Sequence, residues 1–274
     1  RAKTQWVTIP TNGAITENTV KRVKEILQQC PGMFLTVQVS IDSLFEGHDN
    51  SRKMPGGFVA MVETLKELAK VRKNFKNLRI QINTCFDDFN VNQMKQIINY
   101  CKTHLEYDQQ LFYLIREAGE LITKGNNHLI PKFIDTLLAN EEREWRDNRK
   151  TIWHRVVRVL QGLTYKDLVE IKLNEKFIRP CFATEKFVTL YDDGAVSPCE
   201  VLEDRVKLGN IKDYDYDFYK LQKLTKMKDL YSKEIVEGKC NCEWQCALPM
   251  NMLYDPSVYF RILKGLASDR KSVV

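Results

Sequence analysis

The chain has 274 residues, with 42 Lys and Arg against 36 Asp and Glu, so its formal charge is +6. With 43% hydrophobic and 28% charged residues, it has the composition of an ordinary globular protein, which excludes general disorder. No apolar run approaches the roughly 18 residues of a membrane span, no signal peptide opens the chain, and no compact Lys/Arg stripe favours nucleic acid. The sequence predicts a cytoplasmic protein with no membrane and no clear nucleic-acid partner.

The first 115 residues alternate between strand and helix patterns. Four segments rich in β-branched and aromatic residues are predicted to be strands, at 6–9, 33–41, 78–83 and 111–115. Three amphipathic segments are predicted to be helices, at 17–29 with Thr16 as N-cap, at 58–72 with Val59, Val62, Leu65 and Leu68 on one face, and at 91–104. Strands that alternate with helices pair in parallel, so we expect an α/β layer or barrel with its ligands at the C-terminal ends of the strands.

The rest of the chain is predicted to contain helices and one hairpin. A charged helical stretch covers 121–177, and its charged run at 141–147 is expected to be a solvated face. Asp192-Asp193-Gly194 between two strand-like segments is a strong hairpin signal. Further helices are predicted at 217–226 and 229–236. These boundaries predict three regions, at 1–120, 121–177 and 178–274.

Eight cysteines are distributed unevenly. Cys30, Cys85 and Cys101 are predicted to be core residues, while five more lie in the last third of the chain. Those five are Cys181, Cys199, Cys240, Cys242 and Cys246. Five is an odd number, and a cytosolic chain disfavours disulfides. Four converging thiolates can hold a tetrahedral metal ion or an iron–sulfur cluster. The chain lacks the two close Cys-x2-Cys pairs of zinc fingers, which favours a cluster over zinc.

The spacing of these five cysteines resembles a known family. Cys181, Gly194 and Cys199 stand as Cys-x12-Gly-x4-Cys, and a Cys-x-Cys-x3-Cys segment follows at 240–246. With Leu208-Gly209-Asn210-Ile211, this pattern resembles the auxiliary-cluster domain, called twitch or SPASM, of radical S-adenosylmethionine (SAM) enzymes.

The first half of the chain resembles the same family independently. Thr11-Asn12-Gly13, Ser40-Ile41-Asp42 and a His48-Asp49 loop followed by Arg52 resemble the third and fourth strand ends of the radical SAM barrel. The resemblance implies a partial (β/α)6 barrel, with its first two βα units absent from this chain. A small α+β iron–sulfur domain with a β-hairpin would follow.

The resemblance also implies roles for individual residues. Ser40 and Arg52 match positions that hold the amino-acid end of S-adenosyl-L-methionine (AdoMet), since a hydroxyl and a guanidinium can bind a carboxylate. Asn12 and Asp42 match polar strand-end positions, and Asn83 and Arg116 match the ends of the fifth and sixth strands. One auxiliary [4Fe-4S] cluster would use Cys181 and Cys199 with two of Cys240, Cys242 and Cys246.

The implied function is that of a radical SAM oxidoreductase. Such an enzyme uses a 5′-deoxyadenosyl radical to abstract hydrogen from a peptide or small-molecule substrate, with a flavodoxin or ferredoxin as electron donor. The 274 residues contain neither the family's Cys-x3-Cys-x2-Cys loop nor its Gly-Gly-Glu-Pro segment. We expect the native protein to carry both in two preceding βα units, with a second, AdoMet-binding cluster. The alternatives are a non-catalytic metal-binding relative or partner subunit that has lost this cluster, and a zinc-stabilised α/β protein.

Overall fold

The computed structural model describes residues 4–117, 120–147, 152–202, 205–224, 229, 231–237 and 240–267. The chain divides into two units. The first unit comprises residues 1–115 and 131–140, and the second comprises residues 116–130 and 141–274. Among the described residues, one sheet has four strands and another has three.

A parallel sheet organises the first unit. Its strands are β1 (Trp6–Thr11), β2 (Phe34–Ser40), β3 (Leu78–Phe86) and β4 (Gln109–Leu114). The helices between these strands are α1 (Thr16–Gln29), α2 (Phe45–Arg52), α3 (Gly57–Asn74) and α4 (Met94–His104), with a 3-10 turn at Val91–Gln93. The strands pair in the order β1-β2-β3-β4, each parallel to the next. The predicted parallel α/β arrangement is confirmed.

The two faces of this sheet differ in polarity. Val37, Ile80 and Ile82 lie on one face and are at most 1% exposed. Side chains alternate between faces along a strand, so Ser40 and Asn83 lie on the opposite face. The apolar face belongs to the core, and the polar face carries two of the residues that the sequence singled out.

The predicted N-cap of the first helix is wrong. The residue at the N-cap of α1 is Ile15, and Thr16 is the first residue of the helix. The Thr16 hydroxyl donates to the carbonyl oxygen of Ala60 at 3.1 Å and lies 2.8 Å from the Thr64 hydroxyl. It therefore links α1 to α3, because a partner on a neighbouring helix competes with the local capping bond.

The predicted apolar face of the helix at 58–72, which corresponds to α3, is also partly wrong. Val59 is 72% exposed, while Phe58, Met61, Leu65 and Leu68 are buried. The contact face of α3 is thus rotated by one position at its first turn. A helix at 45–52 was not predicted at all, and α2 occupies the stretch that was expected to be a loop.

Of the three cysteines predicted to lie in the core, Cys101 is buried and Cys85 is half-buried, but Cys30 is exposed. The prediction for Cys30 is wrong because α1 ends at Gln29, so Cys30 lies beyond its last apolar turn.

Replacing Thr64 with valine is expected to lower the free energy of unfolding by about 1–2 kcal/mol. Thr64 is fully buried, and its hydroxyl donates to the Gly13 carbonyl oxygen at 2.7 Å. Valine keeps the shape but leaves that carbonyl without this donor. Urea denaturation followed by circular dichroism measures the change. Val59→Ala on the same helix is the control, with an expected effect within about 0.5 kcal/mol. A loss for Val59→Ala equal to that for Thr64→Val would contradict the observed helix face.

The second unit combines helices with a small antiparallel sheet. The helices of this part of the chain are α5 (Ile130–Asp147, of which 131–140 belong to the first unit), α6 (Ile152–Asn174), α7 (Phe218–Leu224), α8 (Ala247–Leu253) and α9 (Pro256–Ala267), with a π-helical segment at Tyr231–Glu237. Shorter 3-10 segments lie at Asn127–Leu129, Glu200–Leu202 and Ile211–Tyr214. The run at 141–147 is helical, but its side chains lie outside the described ones, so its solvated face stays a prediction. Predicted helical positions 148–151, 225–226 and 230 also lie outside the described residues.

The predicted hairpin is confirmed. β5 (Thr189–Leu190) pairs antiparallel with β6 (Ala195–Ser197), and β7 (Gly209–Asn210) adds a third strand. Gly194 closes the turn with a φ of 90°, a conformation that disfavours any residue with a Cβ. Asp193 accepts a hydrogen bond from the backbone N–H of Ala195 at 2.8 Å, so it acts as a turn residue.

Across the described part of the chain, none of the helices combines the length and the apolar character that crossing a bilayer requires.

Candidate functional site

Polar residues of the first unit meet where β2 ends, beside an inner position of β3, which continues to Phe86 and does not end at Asn83 as predicted. The strand register places Ser40 directly beside Asn83. The Asn83 side-chain oxygen accepts a hydrogen bond from the Gln81 amide at 2.7 Å, which fixes the orientation of the Asn83 amide. Because parallel strands end at the same edge, a hydroxyl and an amide are presented together there.

Asn12 lies just after the C-terminal end of β1, in a tight turn. Its side-chain oxygen accepts a hydrogen bond from the Ala14 N–H at 3.1 Å, and Asn12 itself is exposed. Gly13 has a φ of 71°, and a Cβ there would lie 3.2 Å from atoms of Met61. The turn therefore requires glycine, and it presents the Asn12 backbone to solvent.

An ion pair joins the end of β2 to α2. The Arg52 guanidinium donates from Nη2 to Asp42 Oδ2, and the other Asp42 oxygen accepts from the Cys85 N–H at 2.8 Å. The Asp42 side chain is 10% exposed and that of Arg52 is 37% exposed. Asp42 thus anchors Arg52 with part of the guanidinium facing solvent, where it can bind an anion.

Sequence reasoning missed Asn90, which holds Asp42 in place. Its side-chain amide donates to the backbone oxygens of Asp42 at 2.8 Å and Cys85 at 2.7 Å, and Asn90 is fully buried. These bonds connect the segments that follow β2 and β3. An asparagine in a polar stretch gives no sequence signal for such a role.

The His-Asp pair in α2 has structural surroundings. Asp49 accepts hydrogen bonds from the N–H groups of Gly56 at 2.6 Å and Phe58 at 2.7 Å, so it caps the start of α3. His48 is fully buried, and neither ring nitrogen has a hydrogen-bond partner among the described residues. Burial, and then the nearby Arg52 charge, lower the pKa of His48. The imidazole is therefore neutral at pH 7, with its ring against Phe58.

Four of the five C-terminal cysteines gather in one part of the second unit. Cys181 and Cys199 are buried in an apolar cluster that also contacts Cys240. Cys181, Cys240 and Cys242 line the same cavity. Its other lining residues are Ile171, Ile178, Arg179, Asn241, Leu248 and Asn251. The hairpin and the segment at 240–242 thus bring thiols from three separate stretches of sequence together.

The electrostatics of these thiols reflect their proximity. Burial raises the pKa of Cys240 to about 12, and Cys181 and Cys199 add to this rise. Burial raises the pKa of Cys242 as well, with Cys240 as the next cause. Burial also raises the pKa values of Cys181 and Cys199. All four are therefore neutral thiols at pH 7 unless a metal replaces their protons.

Cys246 and Arg116 share one neighbour, Glu200. Cys246 is an exposed residue, although burial of its sulfur is the first cause that raises its pKa; Glu200 and Arg116 are the next. Arg116 donates to the Glu200 carboxylate at 3.0 Å. It also lies near enough to Cys199 to act on the pKa of that thiol. Arg116 belongs to the second unit.

The four gathered thiols offer a donor set of sulfur alone. Among the residues that the structure describes, no three or more His, Cys, Asp or Glu side chains are arranged to hold a metal ion. A single tetrahedral ion draws its sulfur ligands to about 2.3 Å from one point. In an iron–sulfur cluster each thiolate binds a different iron, so the thiolates need not converge on one point. The apolar surroundings and the purely sulfur donor set fit such a cluster.

Comparisons with known proteins show the fold. No protein-family model matches the chain, and no curated protein sequence matches it. Solved structures of an anaerobic sulfatase-maturating radical SAM enzyme, anSMEcpe, do match. The histidine-tagged form with bound AdoMet is 17% identical with a TM-score of 0.55, over 97% of this chain and 73% of that chain. The native form with bound AdoMet and the Cp18Cys peptide is 21% identical with a TM-score of 0.54, over 94% and 73%.

Proposed function

We propose that this chain acts as a radical SAM oxidoreductase that modifies a peptide. The observation that carries this proposal is the likeness of fold to anSMEcpe, which extends over 94% or more of the chain and includes both units. At these identities the likeness concerns the fold alone. The residues at the strand ends supply the independent chemical support.

In this proposal the polar strand ends bind AdoMet. Ser40 and Arg52 bind the carboxylate at its amino-acid end, and Asp42 fixes the direction of the Arg52 guanidinium through their ion pair. Asn12 and Asn83 contribute polar groups to the cofactor or the substrate. Arg116 is proposed to contribute to cofactor or substrate binding as well, although it forms an ion pair with Glu200.

The gathered thiols would hold one auxiliary [4Fe-4S] cluster. Cys181 and Cys199 are joined in this role by Cys240 and Cys242, since Cys181, Cys240 and Cys242 line one cavity and Cys199 packs with Cys181 and Cys240 in one apolar cluster. When bound, the cluster would supply a one-electron acceptor for the substrate. The protein's part is to exclude water with its apolar walls and to release four thiol protons as the cluster binds.

The substrate class follows from the neighbours. Two forms of anSMEcpe carry bound peptides, named Cp18Cys and Kp18Cys, together with AdoMet. We extend this to a peptide substrate here, with a small molecule as the other option. A flavodoxin or ferredoxin would deliver the electrons. The proposed compartment is the cytoplasm, since thiols stay reduced there.

AdoMet binding to the first unit tests the proposal. Isothermal titration under anaerobic conditions is expected to detect binding of AdoMet to the complete, iron-reconstituted native protein. Arg52→Ala is expected to weaken it about 10- to 100-fold, since it removes a charged hydrogen bond of about 1.5–3 kcal/mol. Arg52→Lys, which keeps the charge but not the planar fork, is expected to lose less. Arg22→Ala is the control, because Arg22 forms an exposed ion pair with Glu25 in the same unit. Absence of AdoMet binding by this folded, iron-reconstituted native protein would refute the proposal.

A second candidate function is that of a non-catalytic metal-binding relative or partner subunit that has lost the AdoMet-binding cluster, since likeness of fold does not by itself require activity. Incubation of the complete, iron-reconstituted native protein with AdoMet and dithionite separates the two functions. Release of 5′-deoxyadenosine supports the enzyme, and AdoMet binding without release supports the non-catalytic relative.

A further inference from the structure

Two charged side chains are buried beside the thiols without a role in the proposal above. The Lys172 side chain, in α6, is 0% exposed, and that of Glu243 is 3% exposed. Their ion pair joins Lys172 Nζ to Glu243 Oε2 at 2.5 Å. Glu243 directly follows Cys242 in the sequence. The chain therefore places a buried ion pair one residue away from a candidate cluster ligand.

Glu243 is anchored at three points. Its backbone N–H donates to the Leu121 carbonyl oxygen at 2.9 Å, and its Oε1 accepts from the Thr123 N–H at 3.0 Å. Its Oε2 accepts from Lys172, which also donates to the Thr123 carbonyl oxygen at 2.5 Å. Both charges are thus hydrogen-bonded, as burial requires.

The segment that carries the ligands has little structure of its own. Residues 240–244 form neither helix nor strand. Glu243 is one side-chain anchor of this segment. Asn241 is a second, because its side-chain amide donates to the Lys176 carbonyl oxygen at 2.9 Å. The backbone N–H of Cys240 donates to the Ile235 carbonyl oxygen at 2.9 Å. Side-chain anchors therefore supply the order that a helix or strand would otherwise provide.

A buried ion pair is weak evidence for stability, since well-packed apolar residues often do as well. The effect of this ion pair is instead on geometry. A carboxylate held by fixed partners restricts the arrangement of the backbone to which it is attached. We propose that Glu243 and Lys172 are positioning residues that hold the segment at 240–242 with Cys240 and Cys242 facing the cavity. This inference rests on the proposed role of the four thiols as cluster ligands.

Retention of iron by the full chain tests the inference. The chain is reconstituted anaerobically with iron and sulfide, and release to a chelator is timed. Glu243→Ala is expected to release iron about 10- to 100-fold faster, the range typical of residues that orient metal ligands. Glu243→Gln keeps an acceptor for the Thr123 N–H and is expected to show a smaller increase. The electron paramagnetic resonance spectrum of the reduced cluster is expected to change in Glu243→Ala, because the thiolates shift.

Two controls separate positioning from general stability. Glu175→Ala removes a Lys–Glu pair of the same unit, with Lys124 at 2.7 Å, that is exposed. Leu163→Ala removes a buried side chain from the cluster with Val159, Met252 and Val258, which contains none of the cysteines. Glu175→Ala is expected to leave the release rate unchanged. Leu163→Ala is expected to lower the unfolding temperature. Below that temperature, we expect its iron-release rate and its electron paramagnetic resonance spectrum to match those of the wild type.

The outcomes distinguish this inference from the proposed function. If Cys181→Ala loses its iron while Glu243→Ala and Glu243→Gln keep wild-type release rates and spectra, the positioning role is wrong and the cluster stands. If Cys181→Ala itself keeps its iron, the proposed cluster fails first. If Glu243→Ala does not fold, Glu243→Gln decides, since a wild-type rate and spectrum for that variant would overturn the inference.

Discussion

Replacing Cys181 with alanine is expected to abolish retention of iron and sulfide by the anaerobically reconstituted chain. The wild-type chain is expected to hold about four iron and four sulfide. Cys199→Ala, Cys240→Ala and Cys242→Ala are expected to behave like Cys181→Ala, because each removes one of four thiols that share an apolar environment. Chemical iron and sulfide assays, with the visible absorption of the cluster, measure the effect.

Cys246→Ala is the matched control for these substitutions. Cys246 belongs to the same motif, but Glu200 and Arg116 surround its thiol, and the residue is exposed. We expect this variant to keep the wild-type iron content. Iron loss equal to that of Cys181→Ala would show that the ligand set is wrong. Zinc bound without sulfide would instead support the zinc-stabilised protein.

Arg179→Met is expected to lower the free energy of unfolding by about 3–5 kcal/mol, the cost of leaving buried charge without its partner. The Arg179 side chain is 5% exposed and forms ion pairs with Asp167 at 2.5 Å and Asp255 at 2.6 Å. Without the guanidinium, Asp167 retains Arg261 at 3.8 Å. Urea denaturation measures the loss. Lys220→Met, which removes an exposed pair with Asp215, is the control and is expected to change stability by less than about 1 kcal/mol.

The loss caused by Arg179→Met is expected to depend on pH. Burial raises the pKa of Asp167 above its ordinary value, and Arg179 acts to lower it. A raised pKa in the folded state means that the folded protein favours the protonated acid, so ionisation above pH of about 4 costs stability. Removing Arg179 raises this pKa further and increases that cost. The deficit should therefore be larger at pH 7 than at pH 4, and an equal deficit at both would contradict this role of Asp167.

Local patterns were sufficient to predict the strands and the hairpin. β2 is rich in valine and threonine, and Asp193-Gly194 suits a turn whose second residue requires a positive φ. Such preferences act between residues close in sequence. They hold in the folded chain because no tertiary partner opposes them.

Features that depend on distant partners could not be predicted in this way. The Thr16 hydroxyl bonds across to α3, 44 positions away, in place of capping its own helix. Asp49 caps a helix that starts eight residues after it, a contact that no local pattern indicates. The apolar pattern of α2 itself is too weak to predict a helix. Lys172 and Glu243 are separated by 71 positions and carry no shared motif.

The candidate site shows the same division. Spacing identified five cysteines, but the sequence left open which of Cys240, Cys242 and Cys246 join Cys181 and Cys199. Of these three, Cys240 and Cys242 line one cavity with Cys181, which depends on the folding of distant segments.

The order β1-β2-β3-β4 bears on how the first unit assembles during synthesis. Each strand pairs with the strand made just before it, so no later strand has to insert between two that are already paired. A chain leaving the ribosome can add strands at one growing edge, which keeps the loops to be closed short. Ser40 and Asn83 become neighbours as soon as β3 docks, and this pairing does not require β4. The candidate AdoMet-binding edge can thus form early, while most of the second unit remains to be translated.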